Sequence, residues 1–310
     1  MKEALVGFTG FVGSNICASH SFDALYNSKN ITEAFGTCPD LLVFSGLRAE
    51  KYLANKDPEK DLEQIDIAEQ NIIKIAPQKL VLISTVDVFK TPLGVDENSV
   101  IDTEGLNAYG LNRYRLEQRI RDRFPDALII RLPGLFGKNI KKNFIYDFIN
   151  VIPFMLKEDK FTELAEKEPV LEDYYEKLDN GFYRVNVADD KKEGLKDIFR
   201  RLGFSALNFT DSRSRYQFYD LSCLWKDIKT ALDSDLRLFH PATEPVSAGE
   251  LYEYLTGETF VNELSGTPAD YDYRTVYGDL YGGKGGYIRN KAEVLDEIRR
   301  FVSCEKRMPQ

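Results

Sequence analysis

Short apolar runs alternate with longer, charged stretches through the first half of the chain. The longest run, Lys79–Thr85, is continuous in β-favouring residues, as is typical of a strand buried on both faces. Between the runs, residues 58–75 and 108–124 carry apolar positions at helical spacing. The predicted strands are 4–6, 24–26, 40–44, 79–85 and 127–132. Alternation of strands and helices predicts an α/β protein with a parallel sheet covered by helices on both faces.

The second half of the chain is less regular. We predict a largely apolar helix over 143–156, and mainly helical structure in the charge-rich residues 157–202. Strand-like runs return at 216–220 and 236–239. A Ser-Ala-Gly-Glu capping box at Ser247 predicts the start of a further helix.

A glycine-rich turn, Gly-Phe-Thr-Gly-Phe-Val-Gly, starts at Gly7, directly after the first predicted strand. A strand, a glycine turn and a helix form a socket for a dinucleotide diphosphate, because glycine permits a tight turn and the helix N-terminus presents free N–H groups. The spacing G-x-x-G-x-x-G differs from the common G-x-G-x-x-G, so an ordinary strand-to-helix turn stays open as an alternative. Ligands of such sheets lie beyond the carboxyl ends of the strands. Four residues fall at these ends: Gly7, Ser45, Thr85 and Pro133.

Composition narrows the classes of protein and of partner. The chain has 310 residues, of which 43% are hydrophobic and 29% charged, as in soluble globular proteins. A net charge of −9 argues against nucleic acid and anionic membranes as main partners, but leaves room for an anionic small molecule in a local basic pocket. No apolar run approaches the ~20 residues that span a bilayer, and the first residues lack a signal-peptide pattern.

The few cysteines and histidines of the chain narrow the kinds of site that we expect. Four scattered cysteines without a C-x-x-C pair predict reduced thiols and a cytoplasmic protein. Only two histidines, His20 and His240, are present, so we expect neither a histidine-based metal site nor a Ser-His-Asp triad.

Tyr109 is the candidate for acid–base chemistry. It precedes Arg113 by four residues, which places both on one face of the predicted helix. A tyrosine transfers a proton to or from a reacting oxygen when a neighbouring cation lowers its pKa from ~10. Thr85 ends a strand and would orient the same oxygen, with Ser84 in reserve. The alternative is that Tyr109, one of 17 tyrosines, lies on a helix surface.

These features, in this order, resemble the extended short-chain dehydrogenase/reductase family, which includes nucleotide-sugar epimerases, dehydratases and reductases. The resemblance covers nearly the whole chain. Its first three segments are similar to the family's T-G-x-x-G-F-I-G-S, S-S/T-x-x-V-Y and A-Y-x-x-S-K, and the next three to R-L-P-N-V-Y-G, F-V-Y-V-D-D and E-P-V-S. In this chain the six segments are 7–14, 84–89, 108–113, 131–137, 217–221 and 244–247.

The resemblance implies a doubly wound Rossmann sheet in residues 1–142 that binds a dinucleotide. It also implies a smaller, mostly helical and mainly substrate-binding region in 143–310, with segments near 205–240 returning to the sheet. The implied function is that of an NAD(P)-dependent oxidoreductase or epimerase acting on a nucleotide sugar or a similar hydroxy or keto compound. Tyr109 would transfer the proton, Thr85 would fix the oxygen, and Arg113 would supply positive charge and hold the cofactor.

The resemblance also implies binding roles. Asn27 and Lys29 stand where NAD-preferring members carry an acidic residue, which favours NADP over NAD. Asp87 and Asn143 are expected at the substrate, and for Asn143 a helix N-cap is an equal alternative. Helices near 60–75 and 108–123 would form a homodimer. The residues expected at the cofactor are Gly7, Thr9, Gly10, Phe11, Val12, Gly13, Asn27, Lys29, Ser45, Gly46, Ser84, Arg113 and Pro133.

Three positions depart from the family pattern. Arg113 stands at the lysine position, Gly134 replaces an asparagine, and Phe89 replaces a tyrosine. Arginine keeps the positive charge, but its planar guanidinium cannot join a proton relay. The alternative function is therefore a cofactor-binding protein of the same fold that has lost its chemistry and senses redox state or docks to a partner.

Overall fold

The computed structural model describes residues 2–179 and 181–305, which belong to two compact units. The first unit takes in the chain up to Asn139 together with Arg215–Val246 and Asp270–Glu297. The second takes in Ile140–Ser214, Ser247–Ala269 and the chain from Ile298. None of the described helices is both long and apolar enough to cross a membrane.

The strands and helices are numbered here in chain order. The strands are β1 Glu3–Val6, β2 Ala24–Tyr26, β3 Leu41–Phe44, β4 Lys79–Thr85, β5 Leu128–Leu132, β6 Gly134–Phe136, β7 Met155–Lys157, β8 Tyr175–Lys177, β9 Phe182–Val185, β10 Arg215–Tyr216, β11 Phe218–Asp220, β12 Leu238–Phe239 and β13 Val246–Ser247. The α-helices are α1 Phe11–Ser19, α2 Lys51–Lys56, α3 Pro58–Ile75, α4 Ala108–Arg123, α5 Phe144–Asn150, α6 Glu158–Lys167, α7 Lys192–Leu202, α8 Leu224–Asp233, α9 Ala248–Thr256 and α10 Lys291–Glu305.

The first unit is built on a six-stranded parallel sheet in the order β12-β5-β4-β3-β1-β2. The predicted α/β class with a doubly wound parallel sheet is thereby confirmed. The chain runs from β1 to β2 on one side and then returns to β3 on the other side. This reversal leaves a crevice beyond the carboxyl ends of β1 and β3, where ligands of open α/β sheets bind.

Apolar residues on both faces of the strands explain the layered structure. Alternate strand residues such as Val6 and Leu42 pack with α3 and α4 on one face. Their neighbours, such as Leu5 and Val43, pack with α1 and α8 on the opposite face. Burial of both faces follows from the continuous apolar runs in the sequence.

The second unit differs in part from the prediction. The helix predicted over 143–156 ends at Asn150, because Val151 takes a φ of 64° and Pro153 follows shortly after. Residues 157–202 contain α6 and α7, but β7, β9 and β8 also form a three-stranded antiparallel sheet. These strands are too short and too rich in charged residues for a two-residue period to emerge. The predicted capping box at Ser247 is confirmed at the start of α9.

Candidate active site

The glycine turn packs tightly at the reversal of the sheet. Gly7 has a φ of 94°, and a Cβ there would lie 2.5 Å from the carbonyl oxygen of Ser45. A Cβ on Gly13 would lie 2.2 Å from the carbonyl oxygen of Gly7. Glycine is therefore required at both positions by the close approach of the turn to β3 and to α1. Ser45 joins the turn to β1, since its N–H and its Oγ both donate to the Val6 carbonyl at 2.9 Å.

The start of α1 offers backbone donors to an anion. Gly10 precedes the helix, and no side chain of the described residues caps it. The N–H of Ser14 donates to the Gly10 carbonyl at 2.9 Å. The N–H groups of Phe11, Val12 and Gly13 come before that bond and belong to the first helical turn. Such a turn, at the positive end of the helix dipole, suits a diphosphate.

Two side chains with hydroxyl groups, Thr85 at the end of β4 and Tyr109 in the first turn of α4, form what we call the hydroxyl pair. The Thr85 side chain lies close enough to Tyr109 to affect the titration of the phenol. Asn55 holds the Tyr109 backbone by accepting its N–H at 3.0 Å. Gly110 permits the close approach, because a Cβ there would lie 2.1 Å from the Asp87 carbonyl oxygen. The two predicted catalytic hydroxyls thus lie together.

The environment of Tyr109 favours the protonated phenol. Its side chain is buried, with only 6% exposed. Burial raises the pKa of Tyr109 and the Asp87 carboxylate adds to that rise, whereas Arg113, the Thr85 hydroxyl and Lys51 oppose it. The net direction is upward, so Tyr109 carries its proton at neutral pH.

Arg113 lies against the tyrosine ring but is tied to the protein. Its guanidinium carbon is 4.7 Å from the centroid of the Tyr109 ring. Its Nη1 donates to the two carboxylate oxygens of Asp61 at 3.2 and 3.1 Å, and its Nη2 donates to the Arg48 carbonyl at 2.9 Å. The charge that the sequence predicts near Tyr109 is present, whereas its predicted contact with a cofactor stays a prediction.

A second ion pair near Tyr109 was not predicted from the sequence. Lys51 Nζ donates to Asp87 Oδ1 at 2.9 Å, and the Tyr271 hydroxyl donates to the same oxygen at 3.4 Å. Lys51 begins α2, a six-residue helix that is too short to show a hydrophobic period, and Tyr271 is remote in sequence. The predicted substrate residue Asp87 therefore has two partners within the chain.

Ser84 lies apart from the hydroxyl pair. Its Oγ donates to Glu117 Oε1 at 2.5 Å, and Glu117 is paired with Arg131, whose Nη2 lies 2.6 Å from Oε2. Successive strand residues point to opposite faces, which explains why Thr85 reaches the site while Ser84 reaches the core.

Two departures from the family pattern have structural explanations. A Cβ on Gly134 would lie 2.9 Å from the Gln217 carbonyl oxygen, so a side chain would disturb the approach of β6 to β11. Phe89 is buried, and the Arg131 guanidinium lies 5.2 Å from the centroid of its ring.

The other predicted site residues lie at element ends. After β2, Asn27 Oδ1 accepts the Lys29 N–H at 2.9 Å and closes a turn. Pro133 lies between β5 and β6. Asn143 caps α5, since its Oδ1 accepts the N–H groups of Ile145 and Tyr146 at 3.0 and 3.1 Å. This cap is the alternative that the sequence left open for Asn143, and its predicted substrate contact stays a prediction.

Comparison with known proteins places the fold. No protein-family model and no curated protein sequence matches the chain. A dTDP-4-dehydrorhamnose reductase from Clostridium acetobutylicum is similar to it with a TM-score of 0.63 and 12% identity, over 99% of this chain and 100% of that chain. The same type of reductase from Bacillus anthracis, solved with NADP, has a TM-score of 0.62 and 16% identity, over 97% and 98% of the two chains.

The chain is also similar in fold to an epimerase. The UDP-glucose 4-epimerase of Thermotoga maritima, solved with UDP-glucose, has a TM-score of 0.63 and 11% identity, over 98% of each chain. The chain therefore has the Rossmann-type fold of these reductases and this epimerase, over 97% to 99% of its residues.

Proposed function

We propose that this protein is an NAD(P)-dependent oxidoreductase or epimerase of the extended short-chain dehydrogenase/reductase family that acts on a nucleotide sugar. The observation that carries the proposal is the placement of the Tyr109 phenol beside Thr85, at the carboxyl end of β4, with the Arg113 guanidinium against its ring. The likeness in fold to nucleotide-sugar reductases and epimerases supports it.

The residues at the reversal of the sheet fit a nicotinamide dinucleotide. The turn from Gly7 to Gly13 and the first N–H groups of α1 would hold its diphosphate. When bound, the nicotinamide supplies or accepts a hydride. Lys29, at the end of β2, would favour the 2′-phosphate of NADP. Similar structures were solved with NADP, NADPH and NAD, which leaves the choice to experiment.

The chain's own residues supply the proton chemistry. In a reduction, the Tyr109 hydroxyl donates its proton to the substrate carbonyl oxygen, and Thr85 holds that oxygen and the phenol in register. The Arg113 charge, 4.7 Å from the ring centroid, stabilises the phenolate that remains. Since the pKa of Tyr109 is raised, the phenol carries at neutral pH the proton that this step requires.

Other parts of the proposal concern the substrate and a second copy of the chain. Asp87 would lie near the sugar, Asn143 would contact the nucleotide diphosphate, and residues 157–215 would select the substrate. A homodimer would form through α3 and α4, and light scattering of the purified protein tests it.

Substitution of Tyr109→Phe tests the proposed chemistry. We expect turnover to fall by ~10²- to 10⁴-fold, the usual effect of a lost general acid, while cofactor affinity changes little. The measurement is the nicotinamide absorbance change with a panel of nucleotide keto sugars. Tyr114→Phe makes the same change on the same helix and should retain full turnover. Undiminished turnover in Tyr109→Phe would remove the assignment.

The alternative, a cofactor-binding sensor or docking protein, is favoured by one observation. Arg113 directs its guanidinium to Asp61 and the Arg48 carbonyl. Calorimetric titration with NADPH and NADH separates the two functions. Tight cofactor binding without turnover on any nucleotide sugar would support the sensor.

A further inference from the structure

Two cations flank Tyr109, and they are held differently. Arg113 and its partner Asp61 are almost fully buried, with side chains 5% and 10% exposed. Lys51 is 44% exposed and its partner Asp87 is 21% exposed. The Arg113 pair is thus part of the packed interior, while the Lys51 pair borders on solvent.

Asp87 is anchored through its backbone next to Thr85 and to the first turn of α4. Its backbone N–H donates to Thr85 Oγ1 at 3.2 Å, and its carbonyl packs directly against Gly110. A negative charge held there opposes the formation of a phenolate on Tyr109. Neutralisation of that charge would therefore ease proton transfer.

Lys51 is the group that meets this charge. Its ammonium lies 2.9 Å from Asp87 Oδ1. Burial lowers the pKa of Lys51, but Asp87, together with Tyr271 and Tyr109, raises it, and the net direction is upward, so the lysine is charged. Lys51 also lies close enough to Tyr109 to lower the pKa of that phenol. The charged and titratable side chains around Tyr109 are Arg113 on α4, Asp87 after β4, Lys51 on α2 and Tyr271 beside Asp87.

We propose that Lys51 is a positioning residue for Tyr109, whose ammonium binds Asp87 and keeps that carboxylate from opposing the phenolate formed during proton transfer. The proposal rests on the proposed function for its role in turnover. Its electrostatic part concerns the free protein alone. Because the pair borders on solvent, its effect weakens as salt increases.

The test is a charge cycle of Lys51→Met, Asp87→Asn and the double variant. The protein is prepared with tyrosine labelled with carbon-13 at Cζ, and Tyr109→Phe identifies the resonance of Tyr109. A pH titration then follows that resonance without substrate or cofactor, while circular dichroism confirms that the fold persists.

We expect the titration midpoint of Tyr109 to rise by roughly one pH unit in Lys51→Met, because Asp87 then keeps the Tyr271 hydrogen bond but has lost its counter-ion. Asp87→Asn should give the lowest midpoint of the series, and the double variant should lie between the two single variants. Lys51→Arg should restore the wild-type midpoint, since it keeps the charge. Lys56→Met, the same change at the exposed end of α2, should leave the midpoint unchanged.

Turnover provides a separate measurement. Lys51→Met should lower it roughly tenfold at neutral pH, whereas Lys51→Arg should keep it near the wild-type value. An unchanged midpoint in Lys51→Met, or a raised one in Asp87→Asn, overturns the proposal; Lys51→Gln replaces the methionine variant if that fails to fold. A different combination of results separates the two proposals. If the midpoints shift as expected but Tyr109→Phe retains full turnover, the role of Lys51 stands and only the proposed function is refuted.

Discussion

Two arginine–carboxylate clusters lie one helical turn apart on α4, and only one borders the candidate site. Arg113 stacks on Tyr109 and binds Asp61. Four residues later, Glu117 is fully buried and receives hydrogen bonds from Arg131 and Ser84. Both clusters contain a guanidinium and a carboxylate, and each lies near a hydroxyl from the end of β4. The same residue types thus occur in the core and at the site.

The two clusters differ in whether they contain a group that is suited to transfer a proton. In the core cluster, each oxygen of Glu117 accepts from Arg131, and Ser84 donates to one of them. At the site, Tyr109 faces Thr85 and has a half-exposed cation, Lys51, nearby. A buried ion pair whose groups satisfy one another contributes to folding, whereas a phenol between unequal charges is suited to transfer a proton.

Among the substitutions that compare the two clusters, Glu117→Gln should have the largest effect on stability. Removing the charge leaves Arg131, which is 2% exposed, buried without its counter-ion, and we expect a loss of about 3 to 5 kcal/mol in the free energy of unfolding. Urea denaturation measures this loss. Glu63→Gln, on the exposed side of α3, is the control and should change stability by less than about 0.5 kcal/mol. A loss no larger than in this control would mean that the core cluster does not stabilise the fold.

Arg113→Lys should have an intermediate effect on stability. Lysine lacks the fork that reaches both Asp61 and the Arg48 carbonyl, so we expect a loss of about 1 to 2 kcal/mol. The charge near Tyr109 survives, so turnover should fall only a few-fold, as a steady-state assay with the same substrate panel would detect. Higher turnover with lysine would contradict this expectation and show that arginine impairs the chemistry.

Much of the first unit was predictable because its signals are local. Long apolar runs predict buried strands, and the glycine turn after β1 marks the reversal of the sheet. The order of the motifs predicted that Thr85 and Tyr109 lie near each other. Hydrophobic periodicity could not predict this, because the strand end and the helix are far apart in the sequence. These segments carry strong patterns because both faces of the sheet are buried.

Other features had no local signal. Lys51 lies in a helix of six residues, and its partner Asp87 comes from a different element. Ser84 and Thr85 are adjacent and chemically alike, so the choice of Thr85 came from its place in the motif and not from a local pattern. The sheet of the second unit pairs three short strands across loops, and such pairing depends on tertiary packing.

Ser84→Ala should have the smallest effect and gives the sharpest comparison of the two adjacent hydroxyls. The Glu117 carboxylate keeps its bonds from Arg131, so loss of the Ser84 donor should cost about 1 kcal/mol in unfolding free energy. The sequence predicts that Ser84 contacts the cofactor, whereas the structure directs its hydroxyl to Glu117. We therefore expect cofactor affinity, measured by calorimetry, to stay at the wild-type value. Weaker cofactor binding at full stability would restore the predicted cofactor contact and show that the core cluster extends into the site.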